Sequence, residues 1–117
     1  MARTEGLVEK YLQAVVAHDW ETLSACVTED VVRVGPFGDT YTPRDRYVAF
    51  LAELMPTLPG YSMDVDRVVY AGGSAFAQLS ETVEIDSVPV ITPETLVFDF
   101  DESSGLIARI GIYIQRL

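Results

Sequence analysis

The chain has 117 residues, 49% hydrophobic and 22% charged, which suits one domain around one core and does not match the composition of a disordered segment. Eighteen acidic against eight basic residues give a formal net charge of −10. With Lys10 the only lysine and no basic run, nothing draws in a phosphate backbone, which excludes nucleic acid and anionic membrane surfaces as partners.

Cys26 is alone, so no internal disulfide can form. The opening Met-Ala-Arg-Thr-Glu-Gly holds no apolar signal region, and no apolar run approaches the ~18 residues that span a bilayer. A cytoplasmic protein without a membrane partner is expected.

From Leu7 to Val16 the residues Leu7, Val8, Tyr11, Leu12, Val15 and Val16 recur at helical spacing and predict a first helix. Ala17-His18-Asp19 breaks it, His18 serving a turn or cap. Asp19 then caps a second helix that carries Trp20, Leu23 and Val27 and stops at Thr28-Glu29-Asp30. Val31 to Val34 reads as a strand and Gly35-Pro36-Phe37-Gly38 as a corner. Thr42 is placed as the cap of a third helix, with Pro43 at its first position and Tyr47, Val48, Phe50, Leu51 and Leu54 along it. That helix ends near Pro56.

Four long strands follow, Tyr61 to Tyr70, Ala75 to Ile85, Val88 to Phe100 and Leu106 to Gln115, with turns at Ala71–Gly73 and Asp101–Gly105. Helices first and hairpin-linked strands afterwards predict a single α+β domain over residues 1–117, not a doubly wound α/β sheet.

The order of these elements resembles the SnoaL-like and ketosteroid-isomerase-like branch of the NTF2-like superfamily. The residues that carry the resemblance are Tyr11, Ala17-His18-Asp19-Trp20, Thr28 to Val32, Gly35-Pro36-Phe37-Gly38, Ala75-Phe76-Ala77 and Phe98-Asp99-Phe100-Asp101. The resemblance implies a cone: three N-terminal helices packed on a strongly curved, mainly antiparallel sheet that encloses a mostly apolar pocket. Its members include isomerases, polyketide cyclases, dehydratases, epoxide hydrolases and proteins that only bind or dimerise, so function has to be read from the pocket.

The family's oxyanion tyrosine falls on Tyr11, and its carboxylate base falls on Gly35, where there is none; Asp39, assisted by Tyr41 at the same corner, is the candidate replacement. The family's protonated acid falls on Leu96. Glu94, two residues earlier on the same strand face, either points into the cavity as a proton donor or decorates the loop after Pro93. An epoxide-hydrolase triad is not supported: the matching stretches, Glu84-Ile85-Asp86 and Tyr113-Ile114-Gln115, lack its arginine and final aspartate. Glu84 and Asp86 then read as a surface pair. Gln78, Ser80, Thr82 and Glu84 form a polar strand face, read as exposed or interfacial, which Arg109 and Tyr113 could meet.

Trp20, Phe37, Tyr41, Tyr47, Met55, Met63 and Phe98 are the candidates for lining a ligand site, with Met55 and Met63 an adaptable lip. One Cys and one His cannot build a Cys/His zinc site, and Asp99-x-Asp101-x-Ser103 lacks the glycine and glutamate of a calcium loop. No metal and no cofactor are expected. The chain is thus expected to be a homodimeric pocket protein for a small apolar molecule. Its chemistry would be cofactor-free acid–base work on an oxygenated metabolite (isomerisation, cyclisation, dehydration or epoxide opening); the alternative is a non-catalytic binding or dimerisation module.

Overall fold

The structure, a computed structural model, describes residues 4–115. The first helix, α1 (Leu7–Ala17), buries Val8, Tyr11, Leu12, Ala14 and Val15, the stripe set by its helical spacing. Gly6 precedes it without a side-chain cap. The orphan Val8 N–H instead donates to the Tyr70 hydroxyl at 3.1 Å, and that hydroxyl donates to Glu9, which ties the helix start to the far edge of the sheet.

His18 ends α1 in the left-handed conformation (φ 55°). The His18 and Asp19 N–H groups return to the Val15 and Ala14 carbonyls, so His18 serves the turn as expected. Asp19 then caps α2 (Trp20–Cys26) by accepting from the Thr22 N–H and hydroxyl.

Two boundaries differ from expectation. The second helix does not run through Val27: it stops at Cys26, and Val27 opens β1 (Val27–Val34) with φ −120° and ψ 156°. Val27 pairs with Ile107 in a parallel ladder and is wholly buried, so strand pairing and β-branching prevail over the helical pattern. Likewise Thr42 is not the cap of α3 (Arg44–Leu54). Pro43 holds that position in extended backbone, and the helix opens one residue later than its proline suggested. Between them lies a short strand absent from the sequence reading, β2 (Thr40–Tyr41), folded back on β1 across the Gly35–Asp39 corner.

A 3-10 turn (Met55–Thr57) extends α3 and leads to β3 (Ser62–Ala71), β4 (Ser74–Ile85), β5 (Val88–Phe100) and β6 (Ile107–Ile114). Asp86 and Ser87, both at positive φ, make the two-residue turn between β4 and β5. The sheet order is β2-β1-β6-β5-β4-β3, antiparallel throughout except for β1 beside β6. The fold is α+β, three helices on a curved, unclosed six-stranded sheet.

The concave rows are Ala75, Ala77 and Leu79 on β4, Leu96 and Phe98 on β5, and Ile107 and Ile110 on β6, all buried with the helical stripes. Burying the leucine, isoleucine and phenylalanine side chains among them contributes about 1.5–3 kcal/mol each. The opposite face of β4 carries Gln78 and Glu84 exposed and Ser80 and Thr82 half-buried, in keeping with its reading as an outer face.

Candidate active site

Two strand rows run from the core toward the β4–β5 turn, and each changes character at one carboxyl group. On β4 the inward row is Ala75, Ala77, Leu79, Glu81 and Val83; on β5 it is Phe98, Leu96, Glu94 and Thr92. In both, burial gives way to partial exposure at the glutamate. Glu81 lies opposite Thr92 and Glu94 opposite Leu79, so the glutamates are diagonal neighbours on one face. That placement brings the two carboxyls close enough to favour a proton on Glu94.

Burial and the neighbouring Glu81 carboxyl together push Glu94 up to about 9, against a smaller opposing pull from Arg33. The Tyr61 hydroxyl donates to Glu81, and burial and the carboxylate's charge raise its own pKa well above the ordinary tyrosine value. At neutral pH Glu94 and Tyr61 are therefore both neutral.

Glu81 and Glu94 form one wall of a cavity of about 130 Å³ whose other walls carry Tyr11, Tyr47, Arg33, Leu51, Met55, Met63, Leu96 and Ile112. The Tyr11 and Tyr47 hydroxyls are hydrogen-bonded to each other deep in the core, and Phe98 meets the Tyr11 ring edge-on at 5.5 Å. Burial is the main cause that raises both phenols, Tyr47 to about 12 and Tyr11 well above the ordinary value, so both stay protonated and able to donate. The outer face of α1 borders a different groove of about 340 Å³ toward Met63 and Val65. It has only Glu9 and Gln13 as polar groups, and nothing there converges as the tyrosines and glutamates do.

Arg33 comes off β1 beneath α3. Its guanidinium lies over the rings of Tyr41 and Phe50, at 5.7 and 5.4 Å, and donates to Asp39 at 2.9 Å. A side chain at Gly35 would collide with the Asp39 carboxylate. Asp39 thus fills the space that a residue-35 side chain would take, as the corner replacement requires, but it is bonded to Arg33 and does not line the cavity.

Of the residues singled out from sequence, Tyr11, Glu94, Tyr47, Met55 and Met63 meet at the cavity. Besides Asp39, four do not line it. Trp20 stacks on His18 at the α1–α2 break, Phe37 is 72% exposed on the corner, Tyr41 stacks on Phe50, and Phe98 is sealed in the core behind Tyr11. Glu84 and Asp86 are exposed at the end of the β4–β5 hairpin.

Three site groups were missed: Glu81, Arg33 and Tyr61. Glu81 left a signal, a lone charge interrupting an otherwise apolar strand row, and Arg33 is the one charge in the Val31–Val34 run. Among the described residues no three His, Cys, Asp or Glu side chains gather to hold a metal, and no helix is long and apolar enough to cross a membrane.

The SnoaL-like domain family matches residues 8–110, and the chain belongs to that family. Solved structures share its fold. An LEH-like epoxide hydrolase from M. tuberculosis is 21% identical with a TM-score of 0.79, covering 93% of this chain and 80% of that one. A Catenulispora acidiphila protein of ketosteroid isomerase-like fold, in complex with trimethylamine, is 16% identical with a TM-score of 0.79, covering 95% and 86%. A protein of cystatin-like fold from Methylobium petroleophilum is 18% identical with a TM-score of 0.84, covering 97% and 76%. No curated protein matches the chain.

Proposed function

We propose that this protein is a cofactor-independent acid–base catalyst that moves a proton on a small, mostly apolar, oxygenated metabolite, the step underlying isomerisation and cyclisation. The observation that carries this reading is the Glu81–Glu94 pair, two carboxyls diagonal on one strand face, on the same small cavity as the Tyr11–Tyr47 hydroxyl pair. When a ligand carbonyl enters, neutral Glu94 donates to its oxygen. Either hydroxyl of the Tyr11–Tyr47 pair can donate to the other. In the arrangement where Tyr47 donates, the Tyr11 proton makes a second bond to the same oxygen. Glu81 takes the proton from the adjacent carbon, and the Tyr61 hydroxyl, which donates to it, keeps it oriented.

The charge that develops on oxygen is thus met by donors held in place beforehand in an apolar wall. Asp39 has a supporting part in this scheme: it neutralises Arg33 and is not the base. A homodimer through the outer sheet face, where Val69 and Phe76 are exposed side by side, belongs to the same reading, as does a cytoplasmic location.

The test is deuterium uptake from solvent at the carbon beside the carbonyl of cyclopentanone, followed by NMR. Uptake above the buffer rate is expected, and Tyr11→Phe should reduce it about 10- to 100-fold with an unchanged circular dichroism spectrum. Undiminished uptake in Tyr11→Phe would remove the donor role. The second reading, a non-catalytic small-molecule binder, rests on the glycine at the corner and on Asp39 being committed to Arg33. Ligand binding with no uptake in the parent protein would establish it.

A further inference from the structure

The carboxyl pair is a partition as well as a proton-bearing group. Leu58, Glu81 and Glu94 border the inner cavity on one side and, on the other, an apolar vestibule of about 340 Å³ that reaches out along the β4–β5 hairpin. Resting on the acid–base reading above, we propose that this vestibule is a second subsite that takes an aliphatic tail. The substrate class is then a medium-chain compound with a neutral oxygenated group at one end.

Three observations support the assignment. First, the inner cavity of about 130 Å³ is close to the ~150 Å³ that just holds benzene. It takes the reacting head of a molecule and little else, so any larger substrate must extend past the glutamates. Second, the inward strand rows do not turn polar beyond the glutamates, as a water-facing surface would. They continue as Val83 and Ile85 on β4 and Val90 on β5, with only Thr92 polar, and Ile85 and Val90 are 57% and 40% exposed. Third, the charges select the head. Arg33 is already paired with Asp39, and the partition is built of two carboxyl groups in a chain of net charge −10. A carboxylate head is repelled, whereas a ketone, aldehyde or alcohol meets the donors.

The experiment measures dissociation constants of the full chain for 2-alkanones from 2-butanone to 2-decanone, with the matching alkanoates alongside, by calorimetry. Affinity should tighten about three- to fourfold per added methylene until the vestibule is filled, and the alkanoates should bind at least tenfold more weakly. Val90→Asp should flatten the series while leaving 2-butanone unchanged, and Ile85→Asp serves if that variant fails to fold.

A flat series in the parent protein, or an equally steep one in both variants, overturns the second subsite. If 2-butanone still binds and exchanges deuterium in that case, the acid–base reading stands. If no ketone binds, both readings fall.

Discussion

Glu94→Gln is expected to cut proton exchange by about 10²–10⁴-fold, the usual contribution of a positioned general acid or base, and to make the protein more stable in mild alkali. The second effect follows from linkage. The folded chain holds the Glu94 proton up to about pH 9, whereas the unfolded chain releases it near 4.5. Between those values the native state carries the extra proton, so stability falls as pH rises through the window. Glutamine cannot ionise, which removes the slope.

Parent and variant should therefore be nearly equal at pH 4 and diverge toward pH 9. Because the carboxyl stands at a partly open wall, solvent screening reduces the gap at pH 8 to about 1–3 kcal/mol. Thermal melts across this pH range read it directly; a variant less stable than the parent at pH 8 contradicts the assignment. Lost activity with gained stability is the signature of a group held in an unfavourable environment for function, which a merely structural glutamate does not give.

The second large effect is expected at the corner. Asp39→Asn preserves shape but leaves the Arg33 guanidinium, only 12% exposed, without its counter-charge over two aromatic rings. Breaking a buried pair from one side costs about 3–5 kcal/mol. Asp39 itself is 40% exposed, so about 2–3 kcal/mol is expected here, a fall in Tm of about 6–15 °C for a domain of this size. Gly35→Ala should act in the same direction, because the added methyl displaces the Asp39 carboxylate.

Asp39→Asn carries a second readout. Arg33 already pulls Glu94 downward, and releasing it from Asp39 strengthens that pull, so the Glu94 pKa should drop. A melt within 2 °C of the parent and an unmoved Glu94 would show the corner to be independent of the cavity.

Much of this architecture was legible in the chain. The α1 stripe, the Asp19 cap and the period-2 strands fix the layers locally, and alternation alone put Glu94 on the face of Leu96 and Phe98. What escaped depended on register or on distant partners. Alternation puts Glu81 on the apolar row of β4 with Ala77, Leu79 and Val83, but that the row is the concave one, and that Glu81 meets Glu94 diagonally, is set by the pairing of Leu79 with Glu94. The polar row of Gln78, Ser80, Thr82 and Glu84 drew attention to the opposite face.

Val27 fits a helical pattern until Ile107, 80 positions away, claims it for a strand. Trp20 and Phe37 were chosen for size, yet one finds its stacking partner in His18 at a helix break and the other sits on an exposed corner. Size marks candidates for a pocket wall, but only the curvature of the sheet decides which of them reach it.

The central claim is that Glu94 keeps its proton at neutral pH because it is buried in an apolar wall beside the Glu81 carboxyl. The most direct measurement is a carbon-detected NMR titration of glutamate side-chain carboxyls from pH 3 to 10 in the parent and Glu94→Gln proteins. One carboxyl should titrate near 9 in the parent and vanish in the variant. Glutamates that all titrate at ordinary acidic values would contradict the account.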